Sequence, residues 1–303
     1  MPALEIEPEL ASKLIGIYGD EGRDWIARFP ALLERFRAQW DVVEVGAAFA
    51  YVGGAWVRPA LLRDGRRAVL KLAPPDKELA SEAAAMSLYD GDGAARLLAA
   101  DTTAVALLLE RLEPGDTLAT LADDIAATEI AGVTMRRLFR PLPADHPFIT
   151  IERGGQAFHR VRERYGGGCG KFPADLFEPA SRLYFELCAS AGPTVLVHGD
   201  LHHYNILRAT REPWLAIDPK GLAGEAAYEV GPLLYNRLDA GHDVKALTLR
   251  RIAQLAEILG LDRQRLTQWG FAQAVLSDLW HFEDSGEVRQ EHLRVAWALR
   301  EEI

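Results

Sequence analysis

Asp200 and Asn205 stand five positions apart in the run Val195-Leu196-Val197-His198-Gly199-Asp200-Leu201-His202-His203-Tyr204-Asn205-Ile206-Leu207. A second carboxylate, Asp218, ends another apolar run, Trp214-Leu215-Ala216-Ile217, and opens Asp218-Pro219-Lys220-Gly221. The short apolar runs read as buried strands and the polar stretches as the loops at their mouths. Phosphoryl transfer needs this set of groups. One carboxylate takes the proton of an attacking hydroxyl, while an amide oxygen and a second carboxylate hold Mg²⁺ against the phosphates of ATP. Asp200, Asn205 and Asp218 fit those roles in that order. His198, Asp200, His202 and His203 also suggest a metal-dependent hydrolase centre, which leaves Asn205 and Asp218 without a job. A plain polar turn between two strands is the blandest reading. Two motifs in the right order at a workable spacing argue against it.

The first loop resembles the H-x-D-x-x-x-x-N loop of kinase-like folds, with Asp218 in the place of their later metal-binding Asp. The wording His-Gly-Asp-Leu-His-His-x-Asn, followed by Ile-Asp-Pro-Lys-Gly, is more specific. It resembles the aminoglycoside phosphotransferases, and within them the streptomycin 6-kinase and hydroxyurea-kinase branch. The resemblance runs from about residue 42 to 284 and is sharpest at 198–205 and 217–221. It implies an α+β, protein-kinase-like two-lobed fold, with a small antiparallel-sheet N-lobe and a mainly helical C-lobe around a cleft. It implies ATP and Mg²⁺ as cofactors and a cationic aminoglycoside as acceptor, streptomycin phosphorylated at its 6-hydroxyl. Hydroxyurea or another small alcohol is the alternative acceptor. The readings from other classes are the hydrolase and a non-catalytic nucleotide-binding protein. On this resemblance Asp200 is the catalytic base, Asn205 and Asp218 are the metal ligands, and His198 braces the loop. Lys220 reaches either the phosphates or the acceptor. Pro219 departs from the Asp-Phe-Gly of protein kinases, so no activation-loop switch is expected.

These groups need a scaffold. Trp25, Ile26, Phe29, Leu32, Leu33, Phe36 and Trp40 recur at helical spacing, which predicts a packing helix over 22–40. Strands are expected at 42–45, 55–62 and 67–72. Pro59 marks the second as an edge strand, and Asp64-Gly65 marks a hairpin. The turn over 46–54 would cover the phosphates. Lys71, in the apolar run Ala68-Val69-Leu70-Lys71-Leu72, is costly to bury unpaired, and it resembles the family's phosphate-contacting lysine. Glu82 in the following helix is the favoured partner and Glu78, one turn earlier, the other. Strands at 97–100 and 105–109 lead to Glu110-Arg111-Leu112-Glu113-Pro114-Gly115, where a hinge is expected. The backbone of Glu110 to Leu112 would meet adenine there. The domains are then 1–112, an ATP-binding N-lobe with its N-terminal helix, and 113–303, a helical C-lobe with the catalytic loop and acceptor site. Helices are expected at 118–139, 149–165, 173–191, 225–238, 243–259, 261–281 and 291–299. The acids Glu225, Glu229, Asp239, Glu283 and Asp284 are candidates for a cationic substrate. The stretch 166–172 suggests a phosphate-binding loop, but Tyr165 and Phe172 occupy positions that require Gly and Ser or Thr.

The 303 residues suffice for two lobes, and 49% hydrophobic with 26% charged residues is ordinary for a globular chain. The net charge of −10 argues against a nucleic-acid partner and suits a cationic substrate. No apolar run approaches the ~20 residues of a membrane span, and residues 1–10 lack the pattern of a signal peptide. Cys169 and Cys188 make no disulfide framework. A cytoplasmic monomer or weak dimer is expected.

Overall fold

Apolar residues three and four apart build the longest helix of the chain, α1 (Pro8–Gln39), which buries Leu10, Leu14, Trp25, Phe29, Leu33 and Phe36. It begins well before the expected 22–40. Gly19, at φ 58° and ψ −126°, kinks it, and a side chain at Gly22 would meet the Leu14 carbonyl oxygen at 2.6 Å. The computed structural model describes residues 5–49, 54–74, 77–238 and 243–303. The chain divides into two compact units, Met1–Glu113 and Pro114–Ile303.

In the first unit, β1 (Val42–Val45), β2 (Trp56–Leu62), β3 (Arg67–Leu72), α2 (Lys77–Tyr89), β4 (Leu97–Asp101) and β5 (Ala106–Glu110) follow α1. The strands form one antiparallel sheet in the order β1-β2-β3-β5-β4. Trp25, Phe29 and Phe36 of α1 share a core with Trp56, Leu70 and Leu108 of the sheet. The expectation that Pro59 makes β2 an edge strand is wrong, because β2 lies between β1 and β3. The Pro59 carbonyl accepts from Gly46 N at 2.8 Å, just past the end of β1. The missing N–H of Pro59 lies on that same side, where the neighbouring strand has already ended, so the ladder loses no bond. Gly65 turns the β2–β3 hairpin at φ 86°.

The second unit runs β6 (Pro114–Thr117), α3 (Asp124–Leu138), β7 (Arg140–Pro141), β8 (Ile149–Thr150), α4 (Gln156–Arg164), α5 (Ala174–Ala189), β9 (Thr194–Val197), β10 (Ile206–Ala209), β11 (Trp214–Ala216), β12 (Leu222–Glu225), α6 (Gly231–Tyr235), α7 (Val244–Leu259), α8 (Arg263–Ser285) and α9 (Gln290–Leu299). Its strands form two small sheets, β11-β10-β6 and β7-β9-β12-β8. Three expected helices are shorter than their apolar periods suggested. Asp123 caps α3 through Ile125 N and Ala126 N and starts it late. The stretch 149–165 opens as strand and 3₁₀ turn, and 225–238 opens as the end of β12. The core centres on Trp269 of α8, edge-on to Tyr184 at 5.2 Å and Tyr228 at 5.1 Å. Among the described residues no helix is long and apolar enough to cross a membrane.

Candidate active site

Two loops of the second unit lie side by side because their flanking strands pair. Residues 198–205 run from β9 to β10, and residues 217–221 run from β11 to β12. β10 pairs with β11, placing Ile206 opposite Ala216. β9 pairs with β12, placing Val197 opposite Leu222. Main-chain bonds continue beyond the strands: Ile217 N donates to Asn205 O at 2.9 Å, and Lys220 N and Gly221 N donate to His198 O at 2.9 and 3.2 Å. The register therefore brings Asn205 beside Asp218 at the end of one hairpin and His198 beside Lys220 at the other pair.

Each loop residue has a distinct physical setting. His198 is fully buried. Its Nε2 donates to the Ile217 carbonyl at 2.9 Å and its Nδ1 accepts from Asp200 N at 3.3 Å, which selects one neutral tautomer. Burial pushes its pKa down to about 4, against the pull of Asp200. Gly199 has φ 80°, and a Cβ there would meet Leu222 Cδ1 at 2.8 Å, so only glycine fits the turn. Asp200 keeps 32% of its side chain exposed, with His202 Nε2 3.7 Å away. Asn205 Nδ2 donates to the Asp200 carbonyl at 2.9 Å. Only the amide nitrogen can make that bond, so Oδ1 is the atom left to act as a ligand. Asp218 is exposed and holds φ 60°, a left-handed conformation that strains most residues and that Asp tolerates. Asn205 and Asp218 thus offer neighbouring hard oxygens, the donors that Mg²⁺ prefers.

The hydrolase arrangement is corrected by the same geometry. Both nitrogens of His198 are committed to the backbone. His203 is fully buried on the far side, 4.0 Å from Asp124, with neither ring nitrogen hydrogen-bonded. Among the described residues no group of three His, Cys, Asp or Glu side chains is placed to hold a metal.

Most of the acids offered to a cationic substrate are engaged elsewhere. Glu225 lies in the core, where Arg265 donates to both its oxygens at 2.6 to 3.1 Å and Trp269 Nε1 also donates to it. Arg160 grips Glu283 with Nε at 2.7 Å and Nη2 at 2.8 Å. Glu229 is 1% exposed and accepts the Gly199 N–H at 3.1 and 3.2 Å. Burial pushes its pKa up to about 8, opposed by backbone N–H groups of Gly199, His198 and Leu201. It braces the 198–205 loop from the interior. The clue in the sequence was its apolar flank, Tyr228-Glu229-Val230, which suits an internal carboxyl better than a surface one. Asp284 is exposed. Asp239 lies outside the described residues, as do 50–53 of the expected phosphate turn.

In the first unit Lys71 sits in the middle strand of the sheet, paired to Val57 on one side and Leu107 on the other. Its Nζ is 2.7 Å from Glu82 Oε2, and both side chains are buried. Glu82, the favoured of the two expected acids, is therefore a partner of Lys71, and the side chain of Glu78 lies outside the described residues. Glu110 ends β5 and accepts the Arg96 N–H at 2.9 Å, and Leu112 is buried near the end of the unit.

The family model for aminoglycoside/hydroxyurea antibiotic resistance kinases matches residues 39–285. The chain belongs to that family. It is 36% identical over 309 residues to the streptomycin 6-kinase of Streptomyces glaucescens, covering 98% of this chain and 97% of that one. It is 34% identical to the hydroxyurea phosphotransferase of Kitasatospora aureofaciens, covering 97% and 85%. The fold is that of the choline kinase LicA from Streptococcus pneumoniae, at a TM-score of 0.61 and 12% identity over 89% of this chain and 98% of that one. The kinase family thus has a protein-kinase-like fold here, with its antiparallel sheet in the first unit and its helices mainly in the second.

Proposed function

We propose that this chain is an ATP-dependent O-phosphotransferase that phosphorylates streptomycin at its 6-hydroxyl and so confers resistance. The observation that carries the chemistry is the pairing of the two loops, which brings Asn205 beside Asp218, with Asp200 five residues earlier on the first loop. The acceptor rests on the 36% identity to a streptomycin 6-kinase along nearly the whole chain. Hydroxyurea is the second reading, favoured by the relative at 34% identity.

Asp200 is half-exposed at the tip of the loop and takes the proton of the acceptor hydroxyl. Its orientation comes from the Asp200 N–H bond to neutral His198 and from the Gly199 turn held by Glu229. Lys71, fixed by Glu82, contacts the phosphates of ATP, and the backbone of Glu110 to Leu112 reads the adenine edge. Asn205 Oδ1 and the Asp218 carboxylate would hold Mg²⁺, which would supply positive charge against the phosphoryl oxygens. Lys220 lies beside the loop and adds a further cation. A cytoplasmic site of action follows from the need for ATP.

The test is Mg²⁺-dependent ADP release with streptomycin, hydroxyurea and a panel of other aminoglycosides, run for the wild type and Asp200→Asn. Streptomycin-stimulated turnover, lost by at least a hundredfold in the variant, is expected. Turnover with hydroxyurea alone replaces the acceptor and keeps the kinase. Failure to bind ATP refutes the phosphotransferase.

A further inference from the structure

Arg265 and Arg160 occupy Glu225 and Glu283, which leaves room for a partner of another kind for a cationic acceptor. The second unit supplies an aromatic one. Lys220 is tied to the catalytic loop by its N–H bond to His198 O at 2.9 Å. From there its ammonium lies over the ring of Trp280 in α8, with Nζ 5.5 Å from the centroid. Ser277 lies three residues before Trp280, on the same face of the helix. Ser277 hydrogen-bonds the Tyr235 phenol, and burial and then the Asp200 charge disfavour ionisation of that phenol. Ser277 and Trp280 thus share one face of α8, and Lys220 joins that face to the loop that carries Asp200. The Trp280 ring is half-buried, and its Cζ2 stands 3.5 Å from where a Cβ on Gly154 would be. The ring is held from one side and its face already carries a positive charge.

We propose that the face of Trp280 is the seat for a cationic group of the acceptor, and that the Lys220 ammonium marks that seat. The inference rests on the phosphotransferase reading. Tryptophan is the strongest aromatic partner for a cation, and a guanidinium also stacks flat on such a ring. Lysine carries its charge on a flexible four-carbon stem, so Lys220 can swing aside when a guanidinium takes the face. A guanidinium-bearing acceptor such as streptomycin fits the seat, whereas neutral hydroxyurea gains nothing from it.

The experiment uses the full chain with Trp280→Leu and Trp280→Phe. It measures the KM for streptomycin and, as a check of fold, the Kd for ATP. Loss of one cation–π contact predicts a KM about 2- to 30-fold higher in Trp280→Leu. Trp280→Phe keeps an aromatic face and should recover part of that loss. An unchanged streptomycin KM in Trp280→Leu, with ATP still bound as in the wild type, overturns the seat and leaves the phosphotransferase standing. If Trp280→Leu fails to bind ATP, Trp280→Phe decides: a KM raised severalfold supports the seat and an unchanged KM overturns it. A wild type that binds ATP but turns over only hydroxyurea overturns the streptomycin reading and the seat together.

Discussion

Replacing Glu229 with Gln should flatten the alkaline side of the pH–stability curve. Glu229 titrates at about 8 in the folded chain, against an ordinary 4.5. Between those values the folded chain keeps a proton that the unfolded chain has released. Stability therefore falls as pH rises from 4.5 to about 8 and is level above that. At 1.36 kcal/mol per unit the whole span is about 5 kcal/mol, and the part between pH 6.5 and 8 is about 2 kcal/mol. The two buried histidines act in the opposite sense. His198 falls from 6.5 to about 4 and His203 from 6.5 to about 3. Below 6.5 the unfolded chain takes up protons that the folded chain refuses, so stability is lost as pH drops toward those values. Between 4.5 and 6.5 two histidines outweigh one glutamate, and above 6.5 the glutamate acts alone. These three groups set a maximum near pH 6.5. The assay is urea unfolding from pH 5 to 9, followed by hydrogen exchange at β9 and α8 amides, which report the second unit. The wild type should lose about 2 kcal/mol from pH 6.5 to 8. Glu229→Gln should lose little over that range and keep the acid limb. A variant curve that falls as steeply as the wild type refutes the assignment to Glu229.

Two further outcomes follow from packing. Lys71→Met leaves Glu82 buried without its cation and should destabilise the first unit by about 3–5 kcal/mol. Adding Glu82→Met should restore most of that stability in thermal unfolding, while kcat/KM for ATP stays lost in both. Gly199→Ala places a methyl 2.8 Å from Leu222 Cδ1 at φ 80°. It should cost about 1–3 kcal/mol and lower kcat through Asp200, read by steady-state kinetics with ATP binding retained.

The parts legible in the sequence were those where chemistry is carried by side-chain identity. His198 to Asn205 and Ile217 to Gly221 announce their loops because few other roles need those groups at that spacing. Lys71 stood out because one cation interrupts an apolar strand, and α1 was visible from its aromatic stripe. What stayed hidden depended on partners distant in sequence. Pro59 looked like an edge residue because the sequence does not show where β1 stops. Pro114–Thr117 and Leu222–Glu225 look like loop or helix locally and become strands only by pairing with β10 and β9. Glu225 and Glu283 read as free acids because their arginines lie 40 and 123 residues away. Glu229 was noticed for its charge and misread in its role, since a carboxyl that caps backbone N–H groups has the same letter as one that binds a cation.

The 198–205 loop is held mainly by its own backbone and by buried groups. His198, Glu229 and the carbonyls of Asn205 and Ile217 fix the loop through bonds to its main chain. Ser277 and Trp280 belong to one face of α8, which meets the loop through Lys220. A change on that face leaves the bonds that orient Asp200, Asn205 and Asp218 in place. On the proposed reading, exchange of Trp280 is expected to cost acceptor affinity alone, whereas a change at Gly199 or Glu229 is expected to move Asp200 as well. This separation gives a physical reason why relatives named for streptomycin and for hydroxyurea can share one family. Their difference is expected on that helical face, and the two paired loops are expected to be the common part.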